Sequence, residues 1–333
     1  MKKNLAKAMI FTLALAMISS VGLTLAGCTK KEVKRADDTA YVILMLTDIH
    51  LEDDKNYQKR AFRTMDELVE LSKPDFIIVT GDVNEVFDCN DKIFTVFGEK
   101  MESYKTPWTF TFGNHDAQGS AWSKKDIADY LESLEYCRFQ KGSDDVYGYG
   151  NNYFNVTDEN GKIIQTIFTL DTSGPESGTH FVEQSQIDWY KNAVREIAVE
   201  ANGDPTATVP SIMFTHIPMR EYKEAYDEAK KNKTIVHGKR REKECPDETE
   251  DDLLETLVSV GSTTAYYCGH EHKNNYVVYK DGIRLSYGET CRHTWYIPTR
   301  GGLVINVKKD GKVTQQNIRR SLMTRIYNIS EEY

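Results

Sequence analysis

The sequence lacks three things that would have narrowed its class at once. None of its six cysteines stand in C-x-x-C spacing, which excludes a zinc ribbon. No internal repeat or low-complexity tract is present, which excludes a repeat array. Although the net charge is −9, there is no block of like charge. No nucleic-acid arm is evident, and a small or locally recognised substrate fits better than nonspecific binding to a phosphate backbone. What is present is 333 residues, 40% of them hydrophobic, enough for one large domain or two small ones.

The N-terminus reads as a targeting segment. Lys2, Lys3 and Lys7 precede the apolar run "AMIFTLALAMI", and the stretch closes on "LAGC" at Leu25 to Cys28. Residues 1–27 are expected to be a signal peptide outside the fold. The closing residues resemble a bacterial lipobox, which implies a lipid on Cys28; the plainer alternative is a secretory signal with a chance cysteine. Residues 28–40 are polar and unpatterned, as a tether would be, and residues 41–333 are expected to form the domain. The expected location is the outer face of a bacterial membrane, with the chain anchored and not spanning. Cys89, Cys137, Cys245, Cys268 and Cys291 remain after Cys28. Their odd number forbids complete pairing within one chain, and an exported location permits a disulfide without saying which.

Along the rest of the chain a short apolar, β-branched run recurs, each time followed by a polar motif and then a helical pattern. "YVILMLT" (41–47) leads to Asp48 and His50, "DFIIVT" (75–80) to Asp82, and "WTFTF" (108–112) to Asn114, His115 and Asp116. "SIMFT" (211–215) leads to His216, and "TAYYC" (264–268) to His270 and His272. Helical periodicity is predicted over 57–72, 185–200 and 251–260. Alternating strands and helices argue for an α/β layered fold, and runs without internal alternation argue for strands buried on both faces. Hairpins turning at Asn160-Gly161, Asp281-Gly282 and Asp310-Gly311 add antiparallel strands, so a mixed sandwich is expected. Residues 217–250 are charged and read as a solvated insertion.

Five of the eight histidines stand at strand ends, together with Asp48, Asp82 and Asn114. In open α/β sheets ligands gather at the carboxyl ends of strands. Imidazole nitrogens with carboxylate and amide oxygens suit divalent manganese, iron or zinc. The set is too large for one tetrahedral site and suits two ions that share a ligand.

In order, D-x-H, G-D, G-N-H-D, a lone His and G-H-x-H stand here as Asp48/His50, Gly81-Asp82, Gly113-Asn114-His115-Asp116, His216 and Gly269-His270-Glu271-His272. The chain thereby resembles the calcineurin-like metallophosphoesterases over about residues 41 to 308. The resemblance implies a four-layer α/β/β/α sandwich of mixed sheets. It also implies a dinuclear centre in which Asp48, His50 and His272 hold one divalent ion, Asn114, His216 and His270 hold the other, and Asp82 bridges them. A metal-activated hydroxide would attack the phosphorus of a phosphate ester. His115 would stabilise or protonate the leaving oxygen, with Asp116 orienting its imidazole through a carboxylate hydrogen bond. Purple acid phosphatases carry a metal-bound tyrosine three residues after the bridging aspartate and a glycine where His50 stands. Here the tyrosine position is Glu85, so no tyrosinate-to-iron colour is expected, and the chain resembles a tyrosine-lacking, purple-acid-phosphatase-like branch. The arginine that follows G-D in protein serine/threonine phosphatases is absent.

Other residues read more plainly. His216 alone would pass for a satisfied core histidine; its place in the ordered set reverses that. Asn84 suits a turn as well as a contact behind the site, and Asp171 closes a strand. His180 and His237 read as surface residues. Arg292 and His293 follow "LSYGET" on the metal side of the sheet, where they could touch substrate phosphate or lie in an exposed loop. The expected function is phosphomonoester hydrolysis. A phosphodiesterase acting on a cyclic nucleotide, nucleic acid or lipid headgroup, and a non-catalytic binding lipoprotein, are the alternatives.

Overall fold

The computed structural model describes residues 31–34, 41–85, 92–174, 182–246, 251–297, 299–321, 327–330 and 332–333. The expected signal peptide, Cys28, Cys89 and His180 lie outside the described residues. In chain order the elements begin β1 (Lys31–Lys34), β2 (Tyr41–Leu46), α1 (Lys55–Ser72), β3 (Phe76–Val79), α2 (Lys92–Ser103), β4 (Trp108–Phe110) and α3 (Lys124–Ser133). There follow β5 (Asn152–Thr157), β6 (Ile163–Thr169), α4 (Gln184–Asn202), β7 (Ser211–Phe214), α5 (Glu221–Asn232), α6 (Leu253–Val260) and β8 (Thr263–Cys268). The chain closes with β9 (Val277–Lys280), β10 (Ile283–Tyr287), β11 (Thr299–Val307), β12 (Val313–Ser321) and β13 (Tyr327–Ile329).

These strands form two mixed sheets, ordered β13-β12-β11-β2-β3-β4 and β1-β5-β6-β7-β8-β10-β9. Strands β2, β3 and β4 run parallel in the first, and β6, β7, β8 and β10 run parallel in the second. Residues 31–34, within the segment expected to be a tether, lie as an edge strand parallel to β5.

The period of two explains why the parallel strands read as unbroken apolar runs. In β2, Ile43 and Met45 point inward to a core shared with Phe154, Ile167, Ile212 and Phe214 of the opposite sheet. Leu44 and Leu46 point the other way, to a core with Met65 and Leu68 of α1, Phe97 of α2 and Leu131 of α3. On the far side, Phe168, Met213 and Tyr266 pack under Tyr190 of α4, Tyr222 of α5 and Leu257 of α6. The layers are therefore α/β/β/α, and each buried Leu, Ile or Phe contributes about 1.5–3 kcal/mol of transfer free energy. Asp54 caps α1 by accepting from the Tyr57 N–H at 2.6 Å, and Tyr57, Ala61, Met65 and Leu68 form its buried stripe.

One expectation fails in part. Residues 217–250 are not simply a solvated insertion, because α5 runs through them and buries Tyr222, Ala225 and Ala229. These three residues at i, i+3 and i+7 make a real but narrow apolar stripe, which the surrounding charge hides from a reading by composition.

Candidate metal centre

Strands β2, β3 and β8 end in tight reversals, and those after β2 and β3 are locked to one another. The Asp48 N–H donates to the Gly81 carbonyl at 3.1 Å, and the His50 N–H donates to the Asp82 carbonyl at 2.9 Å. Asp48, His50, Asp82 and His270 all take positive φ, at 51°, 46°, 52° and 74°. For side chains other than glycine such conformations cost of order 1–3 kcal/mol each and gather at functional sites. The motif glycines have a steric reason: a Cβ on Gly113 would collide with the Asp82 carboxylate, and one on Gly269 with the Thr47 hydroxyl.

The strand ends bring six of the residues singled out in the sequence into one place. Asp48, His50, Asp82 and His272 form one donor cluster, and Asp82, His216 and His270 form another, with Asp82 common to both. Asp82 Oδ2 is the focal atom, 3.2 Å from His216 Nε2, 3.5 Å from His50 Nε2 and 4.0 Å from His115 Nε2. Its other oxygen accepts from the His115 N–H at 2.9 Å, which draws the Asn114-His115 turn against it. Asp48, His50, Asp82 and His216 are almost wholly buried, while His115, His270 and His272 are 28%, 14% and 17% exposed and mark the open side.

Do these residues fit divalent cations? The Nε2 atoms of His50 and His272 face each other at 3.0 Å, both toward Asp82 and Asp48. Asn114 Oδ1 is buried without a hydrogen-bond partner among the described residues, which is costly unless something else satisfies it. His216 Nδ1 donates to the Thr80 carbonyl at 2.7 Å, which turns Nε2 toward Asp82. Two sets of nitrogen and oxygen donors about one shared carboxylate fit a pair of borderline divalent ions.

Electrostatics also bind Asp82 to its histidines. Burial opposes charge on Asp82 and His216, yet their mutual attraction prevails, holding Asp82 well below the carboxylate range and raising His216 to about 10. Burial also opposes charge on Asp48, but His272 and His216 hold it at about 2. His270 is pushed down to about 4, by burial first and by the neighbouring His216 second.

Asp116 requires a correction. Its carboxylate does not orient the His115 imidazole; it accepts backbone N–H groups from Gly113 at 2.6 Å, Val83 at 2.8 Å and Asp82 at 3.1 Å. It therefore staples the G-D turn to the G-N-H-D turn. Burial and the adjacent Asp82 charge raise it to about 7, against the pull of those N–H donors. The partner of His115 Nδ1 is the Gln118 side-chain oxygen at 2.5 Å, a contact that sequence reading missed although an i, i+3 pair in a turn can make it.

His293 is corrected too, since its ring nitrogens are engaged by Thr64 of α1 at 2.8 Å and by Arg300, not left for a phosphate. Burial and nearby arginines push it down to about 3. Arg292, by contrast, reaches the site: its guanidinium donates to Glu85, whose carboxylate lies 3.3 Å from His50 Nδ1. Asp171 pairs with buried Lys124 at 2.6 Å, behind the site. Asn84 braces the G-N-H-D turn through the Asp116 carbonyl at 3.3 Å. His237 is half-buried and stacks on Tyr333, not on the open surface. Cys245, Cys268 and Cys291 are free thiols.

Residues 41–274 match the model of a family described as calcineurin-like phosphoesterase. Among curated relatives, "Probable inactive purple acid phosphatase 29" of Arabidopsis thaliana is 25% identical over 244 residues, covering 67% of this chain and 61% of the relative. "Phosphatase DCR2" of Saccharomyces cerevisiae is 24% identical over 293 residues, 78% of this chain and 49% of the relative. The chain thus spans between half and about six tenths of the length of these two. Among solved structures, a dimetal phosphatase from Danio rerio superposes with a TM-score of 0.58 at 11% identity, covering 88% of this chain and 99% of that one, a likeness of fold.

Proposed function

This chain belongs to the calcineurin-like phosphoesterase family, a phosphoesterase hydrolase by that membership, and on that premise we propose that it hydrolyses phosphomonoesters with two divalent cations. The observation that carries the reading is the buried Asp82 carboxylate shared by two donor clusters. The name of the Arabidopsis relative contains "inactive", a statement about that protein; here every residue of the expected donor set is present in the sequence.

Asp48, His50 and His272 would hold one cation, Asn114, His216 and His270 the other, and Asp82 both. Cations bound there supply Lewis acidity, which brings the pKa of a water near neutrality and offsets phosphate charge. The protein's own groups do the rest. His115 stands at the open side with Nδ1 held by Gln118, so Nε2 is the ring nitrogen left to meet the departing oxygen. Arg292 is held at the rim by Glu85 and offers its remaining N–H groups to a phosphate oxygen. A monoester carries one more negative charge than a diester, and the Arg292 guanidinium favours it.

The test is p-nitrophenyl phosphate against bis-p-nitrophenyl phosphate on manganese-loaded protein, with His115→Ala alongside. The monoester should be preferred. The variant should keep its manganese and lose about 10²–10⁴-fold in kcat. Unchanged turnover would remove His115 from the reaction, and a diester preference would reverse the substrate assignment.

A further inference from the structure

The rim of the site carries an aromatic pair that this reaction leaves unused. Trp295 is 90% exposed and Tyr296 41%, and their rings meet edge to face with centroids 5.8 Å apart. A large indole is rarely left so open.

The position of the pair is fixed from the metal side by two cations. Lys273 follows the ligand His272, and its Nζ lies 5.5 Å from the Tyr296 ring centroid. Arg292, bonded to the Glu85 that contacts His50, places its guanidinium carbon 5.9 Å from the same centroid. Tyr296 therefore sits on the side of the cluster of Asp48, His50, Asp82 and His272, and the more exposed Trp295 ring stands next to it. Cations over an aromatic face hold the ring by its quadrupole, so the orientation of Tyr296 is tied to the loop of His272 through Lys273 and to Glu85 through Arg292. Such a rim, with a guanidinium for phosphate and rings beyond it, matches a molecule with an anionic end and a flat end.

Resting on the phosphoesterase reading above, we propose that Tyr296 and Trp295 form a stacking platform for the non-phosphate part of the substrate. The substrates are phosphomonoesters bearing a planar ring, with nucleoside monophosphates as the class that fits best. Every base presents a π face, so stacking of this kind tolerates different bases.

Trp295→Ala in the full chain tests this, since an exposed side chain is removed without disturbing the core. With manganese loaded, kcat/KM for adenosine monophosphate should fall about tenfold, within the usual cost of removing one stacking partner. The loss should lie in KM, and glycerol 3-phosphate, which has no ring, should be unaffected. If p-nitrophenyl phosphate falls too, the platform takes any planar ring; if adenosine monophosphate falls alone, it takes the base. Equal loss on the nucleotide and glycerol 3-phosphate, or no loss on either, overturns the proposal. Should the wild-type chain turn over none of these esters, the hydrolase reading fails, and tryptophan fluorescence then decides the platform separately. Quenching by adenosine monophosphate that disappears in Trp295→Ala supports it, and identical behaviour of the two chains overturns it.

Discussion

Glu85 occupies a position where a metal-bound tyrosine would make a different chemistry, and its surroundings say what it does instead. It is 7% exposed, with its carboxylate 3.3 Å from His50 Nδ1 and bonded to Arg292. Burial alone would raise it, but His50 and Arg292 outweigh burial and hold it below the ordinary carboxylate range. An anion there keeps a proton on His50 Nδ1 and leaves Nε2 to face Asp82 and His272, the arrangement by which a carboxylate behind a histidine fixes its tautomer and strengthens it as a ligand. Glu85→Gln preserves size and removes the charge. Manganese affinity at the cluster containing His50 should fall by about 10–100-fold, while the cluster of His216 and His270 changes little. Calorimetric titration separates the two steps. Equal losses at both sites, or none, would show that Glu85 does not act through His50.

Among the elements, α5 gives the sharpest contrast between what is legible in a sequence and what is not. The five ligand-bearing strand ends could be read because each is local: an apolar run buried on both faces, then a glycine and donor residues. The hairpins at Gly161, Gly282 and Gly311 were readable for the same reason, and all three glycines adopt positive φ. Sheet order was not, since β11 enters beside β2 through pairs such as Leu303 with Met45, and nothing within either strand names the other. The contacts behind the ligands, Gln118 to His115 and Glu85 to His50, also depend on how loops fold over one another. In α5 the decisive residue is Tyr222, fully buried, whose hydroxyl donates to the Tyr266 carbonyl and accepts from the Ser286 N–H, both at 3.1 Å. It joins the helix to β8 and β10 at once. Tyr222→Phe leaves those backbone groups without that partner and should cost about 1–3 kcal/mol of stability, read as a lower urea midpoint at constant m-value, with manganese affinity unaltered. An unchanged midpoint would mean that this hydroxyl is not what fastens α5.

At the scale of the whole molecule, the candidate metal site is a joint between the two sheets. The six-stranded sheet sends Asp48, His50, Asp82 and Asn114 from the ends of β2, β3 and β4, and the seven-stranded sheet sends His216, His270 and His272 from β7 and β8. Each donor cluster draws on both sheets, and protein contacts already cross at the same point. The His270 N–H donates to the Asp48 carboxylate at 3.2 Å, and His216 Nδ1 donates to Thr80. An unfolded chain cannot hold these donors together, so cation binding is coupled to folding. At one hundred times Kd a single site adds about 2.7 kcal/mol to stability, which for a domain of this size raises Tm by ~5 °C or more. Protein stripped with a chelator should therefore melt lower, and manganese should restore it in proportion to the logarithm of its free concentration. Asp82→Asn, which removes the charge common to both clusters, should flatten that dependence. If stripped and saturated protein melt together, the donors do not hold cations in the folded state, and the two sheets are joined by their apolar interface alone.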